Sequence, residues 1–117
     1  MEYETHEPDS DFKYGAQCSG LDLSDIVDVK AQVPGEADSQ NWYWLCKMKD
    51  KSYRLYWGWC DYTGWDCRSF MEYIQMDDWE RLLDWASESF WEKAQKPIKI
   101  QLKDQMNHKQ PYALREA

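Results

Sequence analysis

Two cysteines flank a Thr-Gly turn within the segment 57–68, which also holds three tryptophans. If residues 63–64 form the tip of a tight hairpin, Cys60 and Cys67 face each other across its two strands. Opposed thiols can close to a disulfide, act as a redox switch or supply half of a metal site. The six residues between them make a wider spacing than the usual metal-binding knuckle has. We therefore favour reduced cysteines that pack as small hydrophobic side chains, with a Cys60–Cys67 redox pair or metal-binding module as the alternative.

Two aspartates, Asp61 and Asp66, would face each other in the same hairpin. Paired carboxylates can perform acid–base chemistry, so a small hydrolase that uses them is a further alternative. No constellation of histidine, serine and lysine accompanies them in the sequence, and aspartates in turns commonly accept hydrogen bonds from nearby backbone N–H groups. We expect no catalytic residues, no metal ligands and no cofactor, and we favour a protein that is not an enzyme.

The run Cys-Asp-Tyr-Thr-Gly-Trp-Asp-Cys at positions 60–67 follows a segment rich in aromatic residues. Together with its flanks at 45–69, this run resembles a motif of small proteins from bacteria and their phages. The resemblance implies a bacterial or phage setting. It implies no activity and assigns no site residues.

Hydrophobic spacing predicts the elements that position this segment, in an α+β fold. A short helix is expected over residues 22–33, and strands over 41–49 and 52–59 are expected to form a hairpin. A third strand follows over 67–74, so that a small antiparallel sheet lies within residues 41–74. A helix over 77–96 is expected to pack on the aromatic face of this sheet, and residues 98–102 alternate like an edge strand.

The register of the first hairpin depends on a two-residue turn at Asp50-Lys51. This turn pairs Trp44 with Trp57 and places eight apolar residues of the two strands on one face. They are Trp42, Trp44, Cys46, Met48, Tyr53, Leu55, Trp57 and Trp59. In domain terms, we expect a polar acidic tail or edge segment at 1–20, a single α+β domain at 21–110 and a C-terminal tail at 111–117.

Charge is unevenly distributed along the 117 residues, whose net charge is -8. Residues 1–44 carry ten acidic and two basic residues, whereas residues 93–117 carry two acidic and six basic ones. An acidic surface repels phosphate backbones, which disfavours direct nucleic-acid binding through a broad basic groove. It suits a basic protein partner better, although negative charge also keeps a tryptophan-rich protein soluble.

The N-terminal residues lack the basic and apolar stretches of a secretion signal, and no window approaches the roughly 20 apolar residues of a membrane span. We therefore expect a protein of the bacterial host cytoplasm that does not enter a membrane. The four cysteines are expected to be free thiols in that compartment.

Eight tryptophans are more than one small core needs, and tryptophan is the residue most enriched at binding hot spots. A tryptophan among acidic residues suits a cationic partner. We therefore expect an acidic, non-enzymatic inhibitor that blocks a basic site on a larger protein, such as a nuclease or a CRISPR effector. It would act as a phage anti-defence (anti-CRISPR-like) or immunity-type protein. The expected partner-binding residues are Trp65, Asp84, Trp85, Glu88, Trp91 and Glu92.

Overall fold

The computed structural model describes residues 6–35, 42–61, 68–89 and 96–108. Four strands form an antiparallel sheet in the order β1-β2-β3-β4, so each strand pairs with its neighbour in sequence. Helices cover this sheet, and the α+β class predicted from the sequence is confirmed. The elements are α1 (Ser10–Cys18), β1 (Ile26–Val33), β2 (Trp42–Met48), β3 (Tyr53–Asp61), β4 (Arg68–Met76), α2 (Trp79–Ser89) and α3 (Lys96–His108).

Both faces of the sheet are buried. On one face, Phe12 of α1 stacks on Trp44, with 4.5 Å between their ring centroids, and meets Tyr56 edge-on. On the other face, Leu82 and Leu83 of α2 and Leu102 of α3 pack on a second apolar cluster. That cluster contains Ala31, Val33, Tyr43, Leu45, Leu55 and Trp57 from the strands.

The predicted helix over 22–33 is wrong, because Ile26–Val33 forms strand β1 along β2. The β-branched residues of this segment, including Ile26, Val29 and Val33, have restricted side-chain rotamers and favour strands. Within residues 1–20, predicted as a polar acidic tail or edge segment, residues 10–18 form the helix α1. The Asp9 side chain caps this helix by accepting a hydrogen bond from the Phe12 backbone N–H at 2.9 Å.

The register of the first hairpin differs by one residue from the predicted one. Trp44 lies opposite Tyr56, and Trp57 lies opposite Tyr43. The cause is the loop, which has three residues rather than two: the Met48 N–H donates to Ser52 O at 2.9 Å, and Lys51 takes a left-handed φ of 74°. Such a loop is a common hairpin type with a left-handed final residue. Trp44 and Trp57 are therefore both buried, but on opposite faces of the sheet.

The second hairpin brings β4 alongside β3, and the strand predicted at 67–74 is confirmed as Arg68–Met76. Its register places Ser69 opposite Cys60 and Arg68 opposite Asp61. The predicted oppositions of Cys60 with Cys67 and of Asp61 with Asp66 are therefore wrong. The turn itself, residues 62–67, lies outside the described residues.

The helix predicted over 77–96 is present as α2 over its first part, while residues 90–95 lie outside the described residues. The edge strand predicted at 98–102 is wrong, because these residues belong to α3. Ile98, Leu102 and Met106 recur every four residues and all contact the core beside α2. The alternating residues 98–102 are therefore part of a longer helical pattern with a spacing of four residues. Across the described ranges, no helix is long and apolar enough to span a membrane.

The outer edge of β1 is sealed by hydrogen bonds from outside the sheet. The Val29 N–H donates to the backbone oxygen of His6 at 2.8 Å. The Gln105 side chain of α3 bonds both backbone groups of Gln32: its Oε1 accepts from the Gln32 N–H and its Nε2 donates to the Gln32 oxygen, each at 2.8 Å. A single side-chain amide thus replaces the strand that would otherwise pair there.

Candidate functional site

Helix α2 presents acidic residues and one large aromatic residue to solvent. Leu82 and Leu83 turn inward, while Glu80, Asp84 and Trp85 are exposed on the outer side. Glu80 and Asp84 are four residues apart and therefore neighbours on the helix surface. We refer to Glu80, Asp84 and Trp85 as the α2 surface.

Trp85 leaves 41% of its surface exposed, an unusual fraction for a tryptophan in a domain whose other described tryptophans are mostly buried. Its ring provides a broad apolar face on a helix that also carries exposed carboxylates. A lysine or arginine side chain from another protein could bind such a face through cation–π contact, and the negative charges of the helix would attract it.

Asp84 has a structural role in addition to its position on the α2 surface. Its Oδ1 lies 2.7 Å from Lys99 Nζ of α3, although more than half of the Asp84 side chain remains exposed. The hydrogen bond from Lys99 lowers the pKa of Asp84, with help from the positive charges of Lys99 and Lys103. The carboxylate is therefore ionised at neutral pH and links α2 to α3. Its negative charge is partly neutralised within the chain.

The two residues also define the orientation of α2. Neighbouring residues lie about 100° apart around a helix, so Trp85 faces away from the side on which Asp84 meets α3. Helix α3 packs over β1, whereas α2 packs over β3 and β4. Trp85 therefore lies on the side of α2 that is turned toward β4, the last strand of the sheet.

The other predicted partner-binding residues are only partly within the described structure. Glu88 lies in α2, one turn after Asp84. Trp65, Trp91 and Glu92 lie outside the described residues.

The cysteines are found in different environments. Cys46 is fully buried in β2, and this burial raises the pKa of its thiol well above the usual value, so the thiolate is disfavoured. Cys18 is exposed at the end of α1. Cys60 lies in β3, and Cys67 lies outside the described residues. No group of three or more metal-binding side chains comes together among the residues that the structure describes.

A polar cluster that sequence reasoning missed ties the N-terminal segment to β1. The buried Asp28 accepts a hydrogen bond from the His6 backbone N–H at 2.7 Å and lies 3.0 Å from Lys30 Nζ. His6 borders an open cavity of about 350 Å³ that is also lined by Lys13 and Ser24. His6 Nδ1 is 3.8 Å from the Asp28 carboxylate, which is beyond hydrogen-bond distance, so the two are not aligned as a catalytic base pair. The geometry indicates an anchor for the chain.

A second missed cluster surrounds Arg54 on the α1 side of the sheet. Arg54 donates to the Tyr56 hydroxyl and to Gln75 Oε1, both at 2.9 Å, and lies over the Tyr73 ring at 4.2 Å from its centroid. Burial raises the pKa of Tyr56 to about 12, although the Arg54 hydrogen bond opposes this change. Arg54 is thus bound within the chain. Tyr73, by contrast, is 37% exposed beside it.

Comparison with known proteins adds no assignment: no protein family, curated protein or solved structure matches this chain.

Proposed function

We propose that this protein is a non-enzymatic acidic inhibitor that binds a basic site on a larger protein of the bacterial cytoplasm. The partner class is a nuclease or another nucleic-acid-processing complex, in the manner of an anti-CRISPR or immunity protein. The observation that carries the proposal is the α2 surface, where the half-exposed Trp85 and two exposed acidic residues, Glu80 and Asp84, lie on the solvent side of one helix.

The charge of the chain supports this partner class. A net charge of -8 favours encounter with a basic surface and raises the association rate. Proteins that process nucleic acids carry basic grooves for the phosphate backbone, which an acidic inhibitor can occupy. Trp85 would supply the desolvated anchor, and the carboxylates would set orientation.

The redox alternative has less support. It requires Cys60 and Cys67 to react together, yet the strand partner of Cys60 is Ser69. The hydrolase alternative loses its geometric argument in the same way, because the strand partner of Asp61 is Arg68.

The test is a nuclease-inhibition assay. The purified protein is added to a panel of bacterial RNA-guided and non-specific nucleases, and DNA cleavage is measured at low and high salt. We expect inhibition of at least one nuclease, weaker at high salt because screening reduces electrostatic attraction. The double variant Glu80→Lys with Trp85→Ala should lose about tenfold or more in affinity, since it removes an aromatic anchor and reverses a charge on the same helix.

Glu7→Lys is the matched control, because it reverses an exposed acidic residue beside the β1 edge, away from α2. It should keep most of the inhibition. A Cys60→Ser, Cys67→Ser variant should also remain inhibitory, whereas the redox alternative requires it to be inactive. Equal loss in the Glu7 and α2 variants would mean that only net charge matters and would contradict an α2 site.

A further inference from the structure

The two edges of the sheet are treated differently by the rest of the chain. On β1, the Val29 N–H and both backbone groups of Gln32 are bonded from outside the sheet. On β4, the outward bond in the described residues is that of the Met71 N–H, which donates to Ser19 Oγ at 2.8 Å. Helices α1 and α2 pack on the two faces of β4, but among the described residues no hydrogen bond reaches the outward backbone groups of Tyr73 and Gln75.

The Met71 bond shows which backbone groups of β4 point outward. In an antiparallel strand, the N–H and C=O of a residue point to the same side, and the side alternates from residue to residue. The β3–β4 register runs from Tyr53 to Asp61 without a bulge. Since the Met71 N–H points away from β3, the backbone groups of Tyr73 and Gln75 also point away from it. They form a short open edge that can pair with an additional strand.

Exposed aromatic residues flank this open edge on both faces of the sheet. Tyr73 lies opposite Tyr56 on the α1 face and is 37% exposed. On the other face, Trp85 lies on the side of α2 turned toward β4. A strand added to the edge would lie near a partly exposed aromatic ring on each face.

The charges at this edge are predominantly negative. Glu72 is exposed on β4, and Asp77, Asp78 and Glu80 are exposed where the chain passes into α2. Two basic residues lie in this part of the described chain, and both are engaged within it. The Arg81 guanidinium lies 3.9 Å from the Asp77 carboxylate, while Arg54 lies over the Tyr73 ring and donates to Tyr56 and Gln75. A lysine- or arginine-bearing strand is therefore the complementary partner, and a second copy of this acidic chain is not.

We propose that the open edge of β4 at Tyr73 and Gln75 binds an extended basic segment of the partner protein as a fifth strand, with Trp85 and Tyr73 against its side chains. This inference rests on the proposed function and specifies how the partner is held. Main-chain hydrogen bonds would provide affinity, and alternate basic side chains would provide specificity.

The test uses two substitutions at one position. Gln75→Pro removes the outward N–H, and proline is tolerated on edge strands because that N–H takes no part in the ladder. Gln75→Ala keeps the N–H but loses the same side-chain bonds to Arg54, Ser52 and Asp50. The comparison therefore isolates the edge hydrogen bond.

The probe is an acetylated and amidated peptide of alternating lysine and valine, titrated into the isotope-labelled full chain and followed by NMR. We expect shifts and slowed solvent exchange at the Tyr73 and Gln75 amides of the wild-type chain. The dissociation constant should be about tenfold weaker for Gln75→Pro than for Gln75→Ala. A glutamate–valine peptide should not bind.

Several results would overturn the inference. Equal binding by the two Gln75 variants, or equal binding of the acidic peptide, would exclude a basic fifth strand. Dimerisation of the chain alone that Gln75→Pro abolishes would make a second copy the occupant, and protection of the edge by the chain's own C-terminal residues would make that segment the occupant. Shifts of the Trp85 indole without shifts at Tyr73 and Gln75, or no shifts at all, would refute strand addition. The proposed function is decided separately by the nuclease-inhibition assay.

Discussion

Trp44 shows how a buried residue can combine favourable packing with an unfavourable polar group. Its ring is almost completely buried and stacks on Phe12. Its indole Nε1, however, has no hydrogen-bond partner in the described part of the chain. A buried donor without a partner costs roughly 1–3 kcal/mol, so the stability that Trp44 provides comes from its rings alone.

This arrangement predicts opposite outcomes for two substitutions. Trp44→Ala should reduce the free energy of unfolding by about 3–5 kcal/mol, because it leaves a cavity beneath α1. Trp44→Phe should change it by less than about 1 kcal/mol, because loss of the unpartnered N–H offsets the smaller ring. Urea unfolding measures both values. A large loss for Trp44→Phe would show that the indole nitrogen has an important partner.

The β2–β3 hairpin shows which part of an element can be predicted from sequence. Both strands and their pairing follow from the many aromatic residues of 42–61 and the turn residues between them. Their register does not, because β2 is buried on both faces and its apolar residues lack the alternation that distinguishes one face from the other. The three-residue loop therefore sets the register, and a left-handed lysine is not evident in the sequence.

The same limit applies to the candidate site. The exposure of Trp85 and Asp84 follows from the spacing of apolar residues along α2, and it was predictable. The Asp84–Lys99 bond was not predictable, because it depends on α3, and residues 98–102 of α3 have the alternation typical of a strand. The open edge of β4 was also not predictable, since it requires the strand order of the complete sheet.

The loop itself can be tested through Lys51. Its φ of 74° places a non-glycine residue in a left-handed conformation, which costs roughly 1–2 kcal/mol. Lys51→Gly should therefore stabilise the protein by about 0.5–1 kcal/mol after the greater flexibility of glycine in the unfolded chain is subtracted. Lys51→Ala keeps the strained conformation and is the control. Thermal unfolding should rank the glycine variant above both the alanine variant and the wild type.

At the scale of the whole molecule, acidic residues make stability depend on pH. Serine hydrogen bonds lower the pKa of Asp22 and of Asp50, and the Lys99 hydrogen bond lowers that of Asp84. A carboxyl group whose pKa is lower in the folded chain stabilises the fold above its unfolded pKa of about 3.9, and this contribution is lost as the pH falls through the folded pKa.

We therefore expect the free energy of unfolding to decrease as the pH is lowered below about 4. The variant Asp84→Asn measures the contribution of the Asp84 carboxylate to this change. At neutral pH this variant should be less stable than the wild type by about 0.2–1 kcal/mol, a small value because the ion pair is largely exposed. Below the folded pKa of Asp84 the difference should disappear. Calorimetric unfolding across this pH range measures it, and a constant difference would show that Asp84 acts by packing.

The sealed edge of β1 limits the size of any assembly built on this sheet. Growth of a fibre by strand addition requires two open edges on each subunit, because every added subunit must offer a new one. Gln105 and the backbone of His6 bind three backbone groups of β1, at Val29 and Gln32, which hinders pairing at that edge, so β4 is the edge left for an added strand. The complex would then stop at one partner per chain, and the protein could bind through its main chain without becoming a seed for polymerisation.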